Sequence, residues 1–285
     1  MINKKIKIAI IGGSSFIGQN LIQYLFKQKN IKIVATYTNN LQIIKKFNKV
    51  LWKKLDIKKN KKNYFKFLKS PDILINCAWA DIPNYNSNNH YKTFHHQKNL
   101  TYNLIQNGLK NLIFLGTCYE YGRKNGCLKE TDQTKPSVPY AISKKKLLKS
   151  ILLLKKKNNF KLTWLRPFFV FGNNKKRKTL FSILKKNKID ELSKLSLNGN
   201  LKRDFVSVNF LSRVILKILK LDKDIGILNV CTGQSITIKS FILNNLKNKE
   251  NIKLIKMNGK NSNNFEPKSF WGDNTKLKKI IFDEN

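Results

Sequence analysis

The run Lys5 to Ile11 is apolar enough for a buried strand, and it passes directly into Gly12-Gly13-Ser14-Ser15-Phe16-Ile17-Gly18. Helical periodicity then starts at Phe16 and continues to Lys29. A strand that turns through glycines into a helix leaves few folds open. Gly12 permits the tight turn, the small residues after it let backbone approach a pyrophosphate, and Gly18 lets helix and strand pack closely. The first turn of the helix presents N–H groups and a positive dipole end to such a group. Strand and helix keep alternating beyond this point. Ile31 to Thr36, Val50 to Leu55 and Asp72 to Cys77 read as strands, and a polar loop covers Asp81 to Asn89. A helix from about Tyr91 to Asn107, a strand at Asn111 to Gly116, a helix from near Tyr140 and a strand at Lys161 to Arg166 follow. Alternation of this kind predicts βαβ units and a parallel sheet covered on both faces. It loses regularity after Pro167.

Composition narrows the functional classes. The 285 residues are 41% hydrophobic, which suffices for a sizeable core despite a net charge of +41. No apolar run reaches the roughly 20 residues that span a bilayer. Met1 to Gly18 carries lysines before an apolar stretch, as a signal peptide does, but Gly12 to Ser15 interrupt it and no small-residue cleavage site follows. A cytoplasmic protein is expected. Cys77, Cys118, Cys127 and Cys231 form no C-x-x-C pair, which argues against disulfides and zinc. His95 and His96 point different ways on a helix, and with His90 they make no metal site; no metal is expected. Among 57 basic residues only five are arginine, and lysine clusters such as Lys144 to Lys146 are scattered along the chain. No aromatic-plus-basic motif accompanies them, so nucleic acid is not the expected partner. A positive field favours an anionic small substrate.

Two further patterns carry chemistry. An acid about 20 residues after the glycines would hold the ribose hydroxyls of NAD. Thr36, Tyr37, Thr38, Asn39 and Asn40 stand there instead, Lys45 and Lys46 lie just beyond, and no acid occurs between Ile31 and Val50. Hydroxyls, amides and lysines accept a 2′-phosphate, so NADP is favoured, with NAD the alternative. Tyr140-Ala141-Ile142-Ser143-Lys144 places a tyrosine and a lysine on one helix face. An ammonium there is expected to stabilise a phenolate and lower the tyrosine pKa from near 10, making an acid–base group. Pro139 suits the helix start.

The glycine segment resembles that of the extended short-chain dehydrogenases/reductases, the NAD(P)-dependent nucleotide-sugar epimerase/dehydratase family; Ser15 replaces a usual glycine. The resemblance implies a Rossmann-type doubly wound parallel sheet with a small C-terminal substrate-binding cap. It places the nucleotide-binding domain at residues 1–171, with 203–232 returning to it, and the cap at 172–202 and 233–285. It assigns cofactor contacts to Gly12, Ser14, Ser15, Phe16, Ile17, Gly18, Thr36, Asp56, Ile57, Ala78, Trp79, Asn99, Tyr140, Lys144 and Pro167. Thr117, in Gly116-Thr117-Cys118-Tyr119-Glu120-Tyr121-Gly122, matches the family's catalytic hydroxyl, giving a Thr117, Tyr140 and Lys144 set. Cys118, Phe169 and Arg203 fall at substrate positions, Arg203 as a pyrophosphate ligand.

Departures from the pattern narrow the implied activity. The family's 4,6-dehydratases have Asp-Glu after the catalytic threonine, where this chain has Cys118-Tyr119. Phe169 replaces an asparagine. The strings at 116–122, at Glu266-Pro267 and at Phe270-Trp271-Gly272-Asp273-Asn274 resemble bacterial reductases of 4-keto-6-deoxy sugars. The expectation is therefore NAD(P)H-dependent reduction of a dTDP- or GDP-linked 4-keto-6-deoxy sugar for surface polysaccharide, by a homodimer. A nucleotide-sugar 4-epimerase and a non-catalytic nucleotide-binding scaffold remain open.

Overall fold

The computed structural model describes residues 5–39, 46–173, 179–257 and 267–282. Asn40, Lys45 and Glu266 lie outside them. Among the described residues, seven strands form one sheet: β1 (Ile6–Ile11), β2 (Ile31–Tyr37), β3 (Leu51–Lys54), β4 (Ile73–Asn76), β5 (Asn111–Leu115), β6 (Lys161–Pro167) and β7 (Gly226–Val230). Their spatial order is β3-β2-β1-β4-β5-β6-β7. The pairings from β3 through β6 are parallel, with Ile8 beside Ile33 on one side and Ile73 on the other. Residues 8–11, 73–76 and 111–115 are buried throughout, as a sheet covered on both faces requires. The fold is a Rossmann-like α/β fold. Winding reverses between β1 and β4, so ligands are expected beyond the carboxyl ends of these two strands.

Three helices position the site. The first, α1 (Phe16–Leu25), buries Gly18, Leu21, Ile22 and Leu25 and ends once this apolar face is used up, short of the expected Lys29. In α2 (Asn89–Gln106) the buried stripe is His90, Thr93, Gln97, Leu100, Thr101, Leu104 and Ile105, at three-to-four-residue spacing. Helix α3 (Pro139–Lys157) has proline in its first turn, where a missing N–H costs nothing, and packs along α2. The main core gathers Ala9, Ile11, Leu74, Leu112, Phe114, Leu147 and Trp164. No described helix is long and apolar enough to cross a membrane.

The chain divides into two compact units. Unit 1 holds residues 1–120, 136–166 and 212–228; unit 2 holds 121–135, 167–211 and 229–285. Unit 2 has its own core around Leu184, Leu192, Phe241, Ile242, Leu246 and Ile255. Its four-stranded sheet orders Ile236–Thr237, Lys202–Arg203, Ser269–Gly272 and Gly126–Leu128. These limits differ from the pattern of the sequence because Gly126–Leu128 pairs with Ser269–Gly272 across more than a hundred residues. That pairing draws residues 121–135 into unit 2.

Candidate active site

The glycine turn is tied from both sides. Gly12 has φ +77°, and its N–H donates to the Thr36 hydroxyl at 2.9 Å. Ser14 N–H donates to the Thr36 carbonyl at 3.2 Å. Ser15 caps α1, its hydroxyl accepting from Gly18 N–H at 3.1 Å. Ser14, Ser15, Phe16 and Ile17 are half-buried in the opening turn. A Cβ at Gly12 would lie 2.8 Å from Ala78 N, and one at Gly18 would lie 2.2 Å from Gly12 O. Bare backbone is therefore required where β1 and β4 end. Thr36, read as a cofactor contact, is 3% exposed, and its hydroxyl and carbonyl both tie the turn.

Beside the turn, Asn76 and Gln97 lock the end of β4. Asn76 Nδ2 donates to Gln97 Oε1 at 2.7 Å, Ala78 N–H donates to Asn76 Oδ1 at 3.0 Å, and Gln97 Nε2 donates to Ala78 O at 2.8 Å. Asn99 is the residue of this helix that the family resemblance assigns to the cofactor. Asn99 is exposed because two residues turn a helix by about 200°, while Gln97 lies on the buried stripe. The 3.6-residue period of the helix places Gln97 on the buried face that meets the end of β4. Asp56 is exposed and accepts from Lys58 N–H at 3.0 Å, and Ile57 packs against the main core.

Thr117, Tyr140 and Lys144 converge in unit 1. The Thr117 hydroxyl hydrogen-bonds the Tyr140 phenol and accepts from Tyr119 N–H at 3.3 Å. The Tyr140 ring lies among Trp79, Tyr85 and His90, with centroids 6.0, 5.4 and 5.3 Å away. His90 is pinned between the indole N–H of Trp79, which donates to Nδ1 at 3.1 Å, and Asn84 O, 2.8 Å from Nε2. Burial pushes His90 below its ordinary range. Lys144 is 2% exposed, donates to Leu115 O, and sits 4.0 Å from the Trp79 ring centroid.

The structure reverses one electrostatic expectation. Burial first, then Tyr85, pushes the Tyr140 phenol well above its ordinary value, and the Thr117 hydrogen bond opposes this only in part. Burial pushes Lys144 down to about 7, against the opposing pull of Glu120 and Cys77. Low-polarity surroundings penalise the charged form of each group, and burial is the largest cause of both shifts. Tyr140 is thus a neutral phenol across the ordinary pH range, a proton donor.

A stability prediction follows from Lys144. Between pH about 7 and its unfolded value of 10.5, the unfolded chain binds a proton that the folded chain does not. Stability from this group therefore rises with pH through that window and is lowest below it. The denaturation free energy of wild type minus that of Lys144→Met is expected to increase from pH 7 to 10. A flat difference would mean that Lys144 keeps its ordinary pKa when folded.

The residues read as substrate contacts, and Pro167, read as a cofactor contact, divide between the units. Cys118 is buried in unit 1. Pro167 is buried and Phe169 half-buried, both in unit 2. Arg203, read as a pyrophosphate ligand, is 1% exposed in unit 2. Its Nη1 donates to Lys202 O at 2.8 Å and Lys268 O at 3.3 Å, and its guanidinium lies 5.2 Å from the Phe169 ring and 5.7 Å from Phe270. Among the described residues no three His, Cys, Asp or Glu side chains gather as a metal site.

Known proteins are similar to this chain in sequence and in fold. A relative from Aggregatibacter actinomycetemcomitans, a dTDP-6-deoxy-L-talose 4-dehydrogenase (NAD(+)), is 23% identical over 177 residues, 61% of this chain. The match spans 65% of that protein, under two thirds of its length. Among solved structures, a Thermotoga maritima UDP-glucose 4-epimerase with UDP-glucose superposes with a TM-score of 0.79 at 18% identity, covering 96% of this chain and 92% of that one. A UDP-glucuronic acid 4-epimerase from Bacillus cereus, in complex with NAD, gives 0.78 at 21%, covering 97% and 92%. An NAD-dependent NDP-hexosamine 5,6-dehydratase of tunicamycin biosynthesis gives 0.81 at 16%, covering 99% and 92%. At these identities the superpositions speak to fold. The family model described as NAD dependent epimerase/dehydratase matches residues 8–231, most of the chain, and the chain belongs to that family.

Proposed function

We propose that the protein reduces the 4-keto group of a nucleotide-linked 4-keto-6-deoxy sugar with NADPH or NADH. The observation that carries this reading is the neutral Tyr140 phenol hydrogen-bonded to Thr117, one helical turn from Lys144. Reduction of a ketone needs a proton donor at the carbonyl oxygen, and Tyr140 is one. Thr117 would orient the phenol and the sugar oxygen, and Lys144 would hold the nicotinamide ribose. By the family resemblance, Cys118 and Tyr119 stand where the 4,6-dehydratases carry Asp and Glu. The named activity of the Aggregatibacter relative, a 4-dehydrogenase of a 6-deoxy sugar nucleotide, is of the same reaction type.

The residues fit a dinucleotide. The bare backbone from Gly12 to Gly18 opens a helix, a cradle that a Cβ would fill. That turn would take the pyrophosphate, Asp56 and Ile57 the adenine, and Ala78 and Trp79 the side of the nicotinamide. When bound, the nicotinamide supplies the hydride. NADPH is favoured because no carboxylate lies between Ile31 and Val50 to repel a 2′-phosphate.

The test mixes purified protein with NADPH, or with NADH, and dTDP-4-keto-6-deoxyglucose and follows absorbance of the reduced nicotinamide. Stoichiometric oxidation with a higher kcat/KM for NADPH is expected. No consumption, with NAD⁺ co-purifying and UDP-sugars interconverting at C4, would replace this reading with a 4-epimerase.

A further inference from the structure

We propose that Glu120 is a positioning residue that fixes Thr117 against Tyr140; the proposal rests on the roles given to those two residues above. Glu120 is 0% exposed, in a turn spanning Cys118–Tyr121. One carboxylate oxygen, Oε1, accepts from Thr117 N–H at 3.0 Å and from the Trp164 indole N–H at 3.0 Å. The other, Oε2, accepts from Arg166 Nε at 2.9 Å. Glu120 N–H in turn donates to Thr117 O at 3.2 Å. Thr117 is thus clasped at both its N–H and its carbonyl by the same residue.

The anchors on the far side of the carboxylate are themselves rigid. Trp164 stacks on Phe114 with centroids 4.9 Å apart and planes 12° from parallel, and Arg166 is buried at the end of β6. Gly116 leaves the space for this arrangement, since a Cβ there would lie 2.2 Å from Trp164 Nε1 and 2.6 Å from Glu120 Oε1. A buried ion pair is weak evidence for stability, because an apolar residue fills such a space as well. Three converging donors give direction, which an apolar side chain does not. That direction bears on the one residue whose hydroxyl meets the Tyr140 phenol.

The test compares wild type, Glu120→Ala, Thr117→Ala and the double variant. Each is assayed with the keto-sugar and NADPH, and amide exchange of residues 112–119 is followed by mass spectrometry. Misplacement of a reacting group by about 1 Å costs up to ~100-fold, so Glu120→Ala is expected to lower kcat by roughly 10–100-fold. KM and cofactor affinity stay unchanged. In the Thr117→Ala background the same change is expected to cost under about threefold, because residues acting as one unit are non-additive. Equal losses in both backgrounds, or a loss that follows the folded fraction alone, would overturn the proposal. Should Glu120→Ala fail to fold, Glu120→Leu with Arg166→Met removes both charges and the acceptor while keeping the volume, and the same outcomes apply. If wild type turns over no keto-sugar, the functional reading fails separately and exchange decides the positioning role. Faster exchange confined to residues 116–119 in the Glu120 variant supports it, and unchanged exchange there overturns it.

Discussion

Tyr140→Phe is expected to lower turnover of the keto-sugar by about 10²–10⁴-fold, the contribution typical of general acid catalysis. The change removes one hydroxyl and keeps the ring, so contacts with Trp79, Tyr85 and His90 persist. The hydrogen bond to Thr117 and the proton for the C4 oxygen are lost. Nicotinamide-cofactor affinity and the unfolding midpoint are expected to stay close to wild type, because the phenol does not hold the turn at Gly12. Steady-state kinetics with calorimetric cofactor titration separates these effects. Turnover near the wild-type rate would remove Tyr140 as the proton donor.

Gly18→Val is expected to weaken cofactor binding by at least about 100-fold, equivalent to roughly 2.7 kcal/mol. A Cβ at this position would sit 2.2 Å from Gly12 O and 2.8 Å from Gly13 Cα. Both neighbours are backbone atoms of the turn, and no side-chain rotation relieves them. The turn must therefore open where a pyrophosphate would rest against the start of α1. Leu21, Ile22 and Leu25 still bury the same helix face, so circular dichroism is expected to show a folded chain. Titration calorimetry with NADPH and with NAD⁺ checks the loss. Binding at wild-type affinity in the folded variant would show that the cofactor does not use this turn.

What the sequence determined by itself is what depends on near neighbours. The glycine turn, the alternation of strand and helix, the first turn of α3 at Pro139 and the spacing of Tyr140 and Lys144 are all set within a few residues. They were legible for that reason. Helix phase was legible too, since the 3.6-residue period sets the buried stripe of α2 that carries Gln97. The rest required partners distant in the chain. Thr36 reaches Gly12 across 24 residues, and Glu120 meets Trp164 and Arg166 across 44 and 46. Arg203 is enclosed by Phe169 and Phe270 from separate segments. The direction of the Tyr140 and Lys144 pKa shifts was likewise decided only by tertiary structure. An i, i+4 pair in water favours its charged forms by mutual attraction, but desolvation depends on everything packed around the pair, and here it is the largest cause of both shifts.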